Sequence, residues 1–214
     1  MASNAAHSFE QRFRVLKPTS KAISEAVQAA LNLPEEPQRI ESFDISHIQG
    51  TDTVASMVVW ENGRMKKSDY RKFIIRGEAG PEGKNGEQRL AQNDDFASMR
   101  EAVARRYSRV LLEKRSMPNL VLVDGGIGQL RAAAQALEAL QIINQPLASI
   151  AKREEILYIY GQEDEPLVFD PHSPALHLLQ QIRDQAHRLA VTFHRKRRQL
   201  RVRRHECKVI PVTR

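Results

Sequence analysis

The 214-residue sequence has one cysteine, one tryptophan, 6% aromatic residues and no long apolar run. The lone Cys207 excludes an internal disulfide and any zinc site built from cysteine pairs. No stretch approaches the ~18 consecutive apolar residues of a membrane span, so no membrane partner is expected. The opening "MASNAAHSFEQ" lacks the apolar core of a signal peptide, and a soluble, cytoplasmic protein is the expectation. Acid is the minority charge: 26 Asp+Glu face 33 Lys+Arg, a net +7. That excess suits a polyanionic partner such as nucleic acid. Much of it lies in "HRKRRQLRVRR", His194 to Arg204, where Arg195, Lys196, Arg197 and Arg198 open a run free of acids. Like-charge blocks of this kind are either interaction tails or solvated termini.

The pattern of elements is β-β-β-α-β-α-β with a terminal helix. "TSKAISEAVQAALNLPEEP" reads as a lead-in helix capped by Ser20, with Ile23, Val27 and Leu31 on one face. Strands are expected at Arg39–Ser46, Thr53–Glu61 and Arg64–Arg76, the last two joined by Asn62-Gly63, a strong hairpin signal. Glu78–Gln92 is polar and Gly/Pro-bearing without periodicity, so it reads as a mobile, dispensable loop. A helix from about Asp94 to Glu113, a strand at Asn119–Val123 and a helix from about Ile127 to Leu140 follow. "LASIA", "EILYIY" and "PLVF" supply further strand candidates. Ser173-Pro174, a cap followed by proline at the first helical position, opens a last helix to about Arg198. Three antiparallel strands leading into alternating α/β units imply a mixed sheet with helices on both faces, the order of the ribonuclease H-like fold. The expected division is a helical lead-in over 1–38, the α/β domain over 39–198 and a basic tail over 199–214.

Two acids sit where acids are costly. Asp44 lies mid-strand between Phe43 and Ile45, and Asp124 ends the apolar run "NLVLV". An ionised carboxylate in a sheet needs a partner. Placing the first strand beside the one ending at Asp124 brings together two acids 80 residues apart in sequence. Two carboxylates on adjacent strands suit a hard divalent cation, Mg²⁺ or Mn²⁺, and phosphodiester cleavage. The alternative is that each caps a turn or pairs with an arginine. Gly125 and Gly126 after Asp124 open a helix, where backbone N–H groups can approach a phosphate. On the last helix the apolar stripe is Ala175, Leu179, Ile182, Ala186, Leu189 and Phe193, which leaves His187 off the core beside Gln180, Arg183 and Asp184. That histidine is either a surface residue or a ligand or base, roles an imidazole fills near neutral pH.

The segments "FDISHIQG", "VASMVVWENG", "SDYRKFIIR", "LVLVDGGIGQL", "SPALHLLQQIRDQAH" and "FHRKRR" resemble the C-terminal endonuclease domain of UvrC, over roughly Phe9 to Arg198. The resemblance implies a ribonuclease H-like domain making the 5′ incision at damaged double-stranded DNA in bacterial nucleotide excision repair. It puts the family's catalytic acids on Asp44 and Asp124, its catalytic histidine on His187 and a further acid on Asp95. It also implies a UvrB–DNA complex as partner, although the UvrB-binding segment, the N-terminal nuclease and the helix-hairpin-helix modules of the family are not found here. A fragment is therefore expected, with a non-catalytic DNA-binding module as the rival reading. An RNA-directed ribonuclease H is disfavoured, since Glu101 is not set in that family's motif.

Overall fold

The computed structural model describes residues 18–47, 53–76, 95–151 and 155–206, the last thirteen of these through the backbone alone. Helix α1 (Ser20–Ala30) is capped by Thr19, whose hydroxyl accepts from the Ala22 N–H at 3.2 Å; Ser20 is thus the first helical residue instead of the cap. Strands β1 (Arg39–His47) and β2 (Thr53–Glu61) pair antiparallel, Asp44 opposite Ser56. The Asn62-Gly63 turn has positive φ at both residues, 49° and 85°, as a tight hairpin with right-handed strand twist requires.

The single strand expected at Arg64–Arg76 is broken in three. β3 (Arg64–Met65) gives way to a 3-10 turn at Lys67–Asp69, then β4 (Arg71–Ile74) returns to pair with β2. The break has an electrostatic partner: Asp69 turns inward to accept from Arg39 Nη1 at 2.9 Å. Helix α2 (Asp95–Leu112), strand β5 (Leu120–Asp124), helix α3 (Ile127–Ala139) and strand β6 (Leu147–Ala151) follow. β7 (Ile156–Ile159), β8 (Leu167–Val168) and helix α4 (Pro174–Glu206) complete the order. α4 runs past Arg198, so the expected tail begins inside a helix. The expected loop at Glu78–Gln92 lies outside the described residues.

The eight strands form one mixed sheet, β3-β2-β1-β5-β6-β7-β8 with β4 also on β2. β1, β5 and β6 are parallel and central; every other pairing is antiparallel. Alternation along each strand sends side chains to two layers. Phe43, Val121 and Val123 pack under α2 and α3; Ile40, Leu120 and Leu122 pack under α1 and α4. The buried face of α4 carries Ala175, Leu176, Leu179, Ile182, Ala186 and Ala190. Each large aliphatic among them contributes about 1.5–3 kcal/mol when fully buried. Leu189 and Phe193, expected on that stripe, are only partly buried. The sheet therefore carries two cores, and α4 crosses one of them over the strands that bear the acids.

Candidate metal centre

The parallel pairing of β1 with β5 runs from Ile40 opposite Leu120 to Phe43 opposite Val123. Asp44 and Asp124 are the next residues on each strand, so they stand side by side where the pairing ends. Both share the parity of Leu120 and Leu122 and face α4. Asp44 is 5% exposed. Ser46, two residues on and on the same face, donates its hydroxyl to Asp44 Oδ2 at 3.2 Å.

His187 descends from α4 onto this pair, with Nδ1 3.4 Å from Asp44 Oδ2. Its side chain is 46% exposed, so one side of the ring meets solvent. Its height above the sheet is set by its neighbour: Ala186 is fully buried, and its carbonyl accepts the Ser56 hydroxyl at 2.8 Å. Among the described residues, Asp44, Asp124 and His187 form a cluster of metal-ligating side chains, one ligand atom from each lying within 4.8 Å of the others. Two carboxylates and an imidazole converging in this way are a donor set that could hold a divalent metal ion, the carboxylates suiting a hard cation.

The remaining expected residues fall elsewhere. Asp95 opens α2 on the opposite face of the sheet and pairs with His47 Nε2. The Gly125 N–H donates to the Ile150 carbonyl at 3.1 Å and the Gly126 N–H to Gln129 Oε1 at 3.2 Å. A phosphate reaching these amides has to displace them from partners within the chain. Gly125 is needed for conformation, with φ of 147°, whereas a side chain at Gly126 would meet nothing within 4 Å. Arg183 is 6% exposed, where the helical wheel had set it on the polar side. Its Nε and Nη2 donate to Asp184 Oδ1 at 3.1 and 2.9 Å, while Nη1 has no partner among the described residues. The side chains of Arg195, Lys196, Arg197 and Arg198 lie outside the described residues. Glu101 pairs with Arg105 at 2.9 Å and accepts the Arg76 N–H, a bridge between α2 and the end of β4.

A second polar cluster was missed in the sequence. Glu41, fully buried on β1, accepts from Arg106 Nε at 2.9 Å and Nη2 at 2.7 Å, from the Tyr107 hydroxyl at 3.3 Å and from Arg39. Burial, then the nearby Glu41 charge, push the Tyr107 phenol well above its ordinary range. The only sequence signal was an acid in a strand, and the partner that closes the buried pair, Arg106, is 65 residues away.

A mixed sheet of this order with helices on both faces is a ribonuclease H-like fold, and it sets Asp44 and Asp124 on two adjacent parallel strands with His187 supplied by the closing helix. The sequence profile described as UvrC RNase H endonuclease domain matches residues 28–191, and the chain belongs to that family. It is 68% identical over 199 residues to UvrABC system protein C of Solibacter usitatus, covering 93% of this chain and 30% of that protein. Against the UvrABC system protein C of Koribacter versatilis the identity is 60% over 211 residues, 99% of this chain and 33% of that one. The chain thus spans about a third of the length of these curated relatives. Among solved structures, human ENDOV aligns at 16% identity and a TM-score of 0.44, over 83% of this chain and 97% of that one.

Proposed function

We propose that this chain is a divalent-metal-dependent DNA endonuclease unit that makes the 5′ incision beside lesions in bacterial nucleotide excision repair. The observation that carries the reading is the Asp44–Asp124–His187 cluster where the parallel pairing of β1 and β5 ends. Membership of the UvrC endonuclease family supports the substrate class, damaged double-stranded DNA. The name of the relatives, UvrABC system protein, supports action within a larger assembly that includes UvrB. No helix among the described residues is long and apolar enough to cross a membrane. A cytoplasmic location belongs to the same reading, since the DNA of a bacterium lies there.

Asp44 and Asp124 would hold Mg²⁺ or Mn²⁺ through their carboxylate oxygens, with His187 as third ligand or as base. A divalent cation bound there supplies Lewis-acid polarisation of a phosphoryl oxygen and a water of lowered pKa. The chain's own part is orientation. Ser46 fixes the rotamer of Asp44, and the Ser56 bond to Ala186 fixes the register of α4 so that His187 meets Asp44. The exposed side of the imidazole is free to face a phosphate or its attacking water. The basic end of α4, starting at Arg195, supplies phosphate contacts that carry affinity without sequence. Arg183, a buried cation one turn before His187 on the same helix, is assigned to the same purpose.

The test is a nicking assay on a lesion-bearing duplex with Mn²⁺ or Mg²⁺, with and without the other excision proteins. A single metal-dependent nick on the 5′ side of the lesion supports the reading. DNA binding without any nick, even in the complete assembly, favours a non-catalytic binding module of the same fold.

A further inference from the structure

The first turn of α2 touches the end of β1 and the first turn of α3, the helix that follows β5, and it does so from the far side of the sheet. Its Asp95 carboxylate accepts from His47 Nε2, three residues beyond Asp44. The other ring nitrogen of His47 lies 3.0 Å from Oγ1 of Thr53, its cross-strand partner, which is 2% exposed. The next residue, Phe96, lies against Gly128, four residues beyond Asp124. A Cβ added at Gly128 would sit 2.3 Å from the Phe96 ring, so the fit admits only glycine without movement.

His47 has the parity of Phe43 and Ile45, which face α2 and α3, whereas Asp44 faces α4. Asp95 is accordingly separated from the Asp44–Asp124–His187 cluster by the thickness of the sheet. Its link to that cluster runs through the backbone of β1. We propose that His47 is a positioning residue: with Asp95 it braces the end of β1 against α2 while Phe96 on Gly128 braces the end of β5. Together they set the separation of Asp44 and Asp124. The inference rests on the endonuclease reading above and adds a residue and a route that the three-residue cluster does not contain. It also gives Asp95 a role at a distance from the ion.

Groups hydrogen-bonded to a metal ligand alter affinity or activity by about 10- to 100-fold when removed, and a brace that acts through the backbone belongs at the lower end of that range. The experiment is Mn²⁺ titration calorimetry on the full chain, with ring-nitrogen NMR of the histidines. His47→Ala and Asp95→Ala should each weaken Mn²⁺ binding by about tenfold, and the double variant should be no weaker than His47→Ala alone, because both remove one link. Asp95→Asn keeps an oxygen that accepts from Nε2–H and should restore most of the affinity. The His47 ring signals should move in Asp95→Ala. Gly128→Ala should weaken binding from the other strand, and adding Phe96→Ala should relieve it.

Losses that add between His47 and Asp95, or an Asp95→Asn as damaging as Asp44→Asn, would make Asp95 a ligand and overturn the brace. Unchanged Mn²⁺ affinity in His47→Ala would overturn it as well. Asp44→Asn separates the two readings. If it leaves Mn²⁺ binding intact, or the wild type binds none, the endonuclease reading falls and the brace with it. If it abolishes binding while His47→Ala does not, only the brace falls.

Discussion

The Ser56 hydroxyl donates to the carbonyl of Ala186 at 2.8 Å, and Ser56 is the cross-strand partner of Asp44. One fully buried serine on β2 thus registers the helix that carries His187 against the strand paired with the one that carries Asp44. Ser56→Ala should cost about 1 kcal/mol of unfolding free energy, the net worth of a typical buried hydrogen bond. Incision should fall by more than the stability loss accounts for, since α4 is then free to shift. Denaturant unfolding alongside nicking rates checks both. An unaltered rate would show that the apolar stripe of α4 sets the register alone.

The Glu41–Arg106 pair gives the largest stability effect. Glu41→Ala leaves a guanidinium 7% exposed without its carboxylate. Breaking a buried pair from one side costs about 3–5 kcal/mol, whereas replacing both partners with apolar residues is often close to neutral. Glu41→Leu/Arg106→Met should therefore be more stable than Glu41→Ala. Equal stability of the two variants would mean that the cluster contributes through packing.

The acid limb of stability should trace in part to Arg39, which together with Lys66 holds two carboxylates down. Its partner Glu61 is held below the usual carboxylate range, first by its hydrogen bond from Lys66 and then by Arg39. At Asp69 burial pushes upward, but the bonds and charges of Arg39 and then Lys66 outweigh it and the net shift is downward. A carboxylate with a lowered folded pKa stabilises above its unfolded value, near pH 4, and loses that contribution as pH falls through the folded one. Stability should be level above about pH 5 and decline below it. Arg39→Met should flatten the decline, measured by urea midpoints across roughly pH 2.5–6.

Much of the fold was legible because its signals are local. The Asn62-Gly63 turn, the apolar run ending at Asp124 and the Ser173-Pro174 helix start each depend on a few adjacent residues, and each stands where the pattern put it. Asp44 was legible through cost, since an acid amid Phe43 and Ile45 demands a partner, whereas His187 was assigned a role only by the family resemblance; the fold brings both together with Asp124. What escaped depends on partners far along the chain. The inward turn of Asp69 toward Arg39 breaks a strand that periodicity alone continues. Arg183 is polar on a wheel, yet its side chain is covered in the fold. Neither the Ser56–Ala186 bond nor the His47–Asp95 pair leaves a trace in spacing, since they join residues 130 and 48 positions apart.

The basic end of α4 should act on phosphates without reading sequence. Replacing Arg195, Lys196, Arg197 and Arg198 with Ala should weaken duplex binding equally across sequences. The log–log salt slope should shallow by roughly 0.9 for each phosphate no longer neutralised. An unchanged slope would reduce this run to a solvated helix end.

Metal-dependent nicking by Asp44→Asn and Asp124→Asn, assayed in the complete excision system on a lesion-bearing duplex, bears most directly on the central claim. Asparagine keeps the shape of each side chain and removes the charge that holds a cation. The 5′ nick should disappear in both variants while the fold, followed by circular dichroism, and DNA affinity persist. His187→Ala should lose about 10²-fold or more, the contribution typical of a positioned acid or base. A 5′ nick retained within about tenfold of the wild type in either aspartate variant, far short of the loss a catalytic group's removal produces, would contradict the assignment of Asp44 and Asp124 as the metal site.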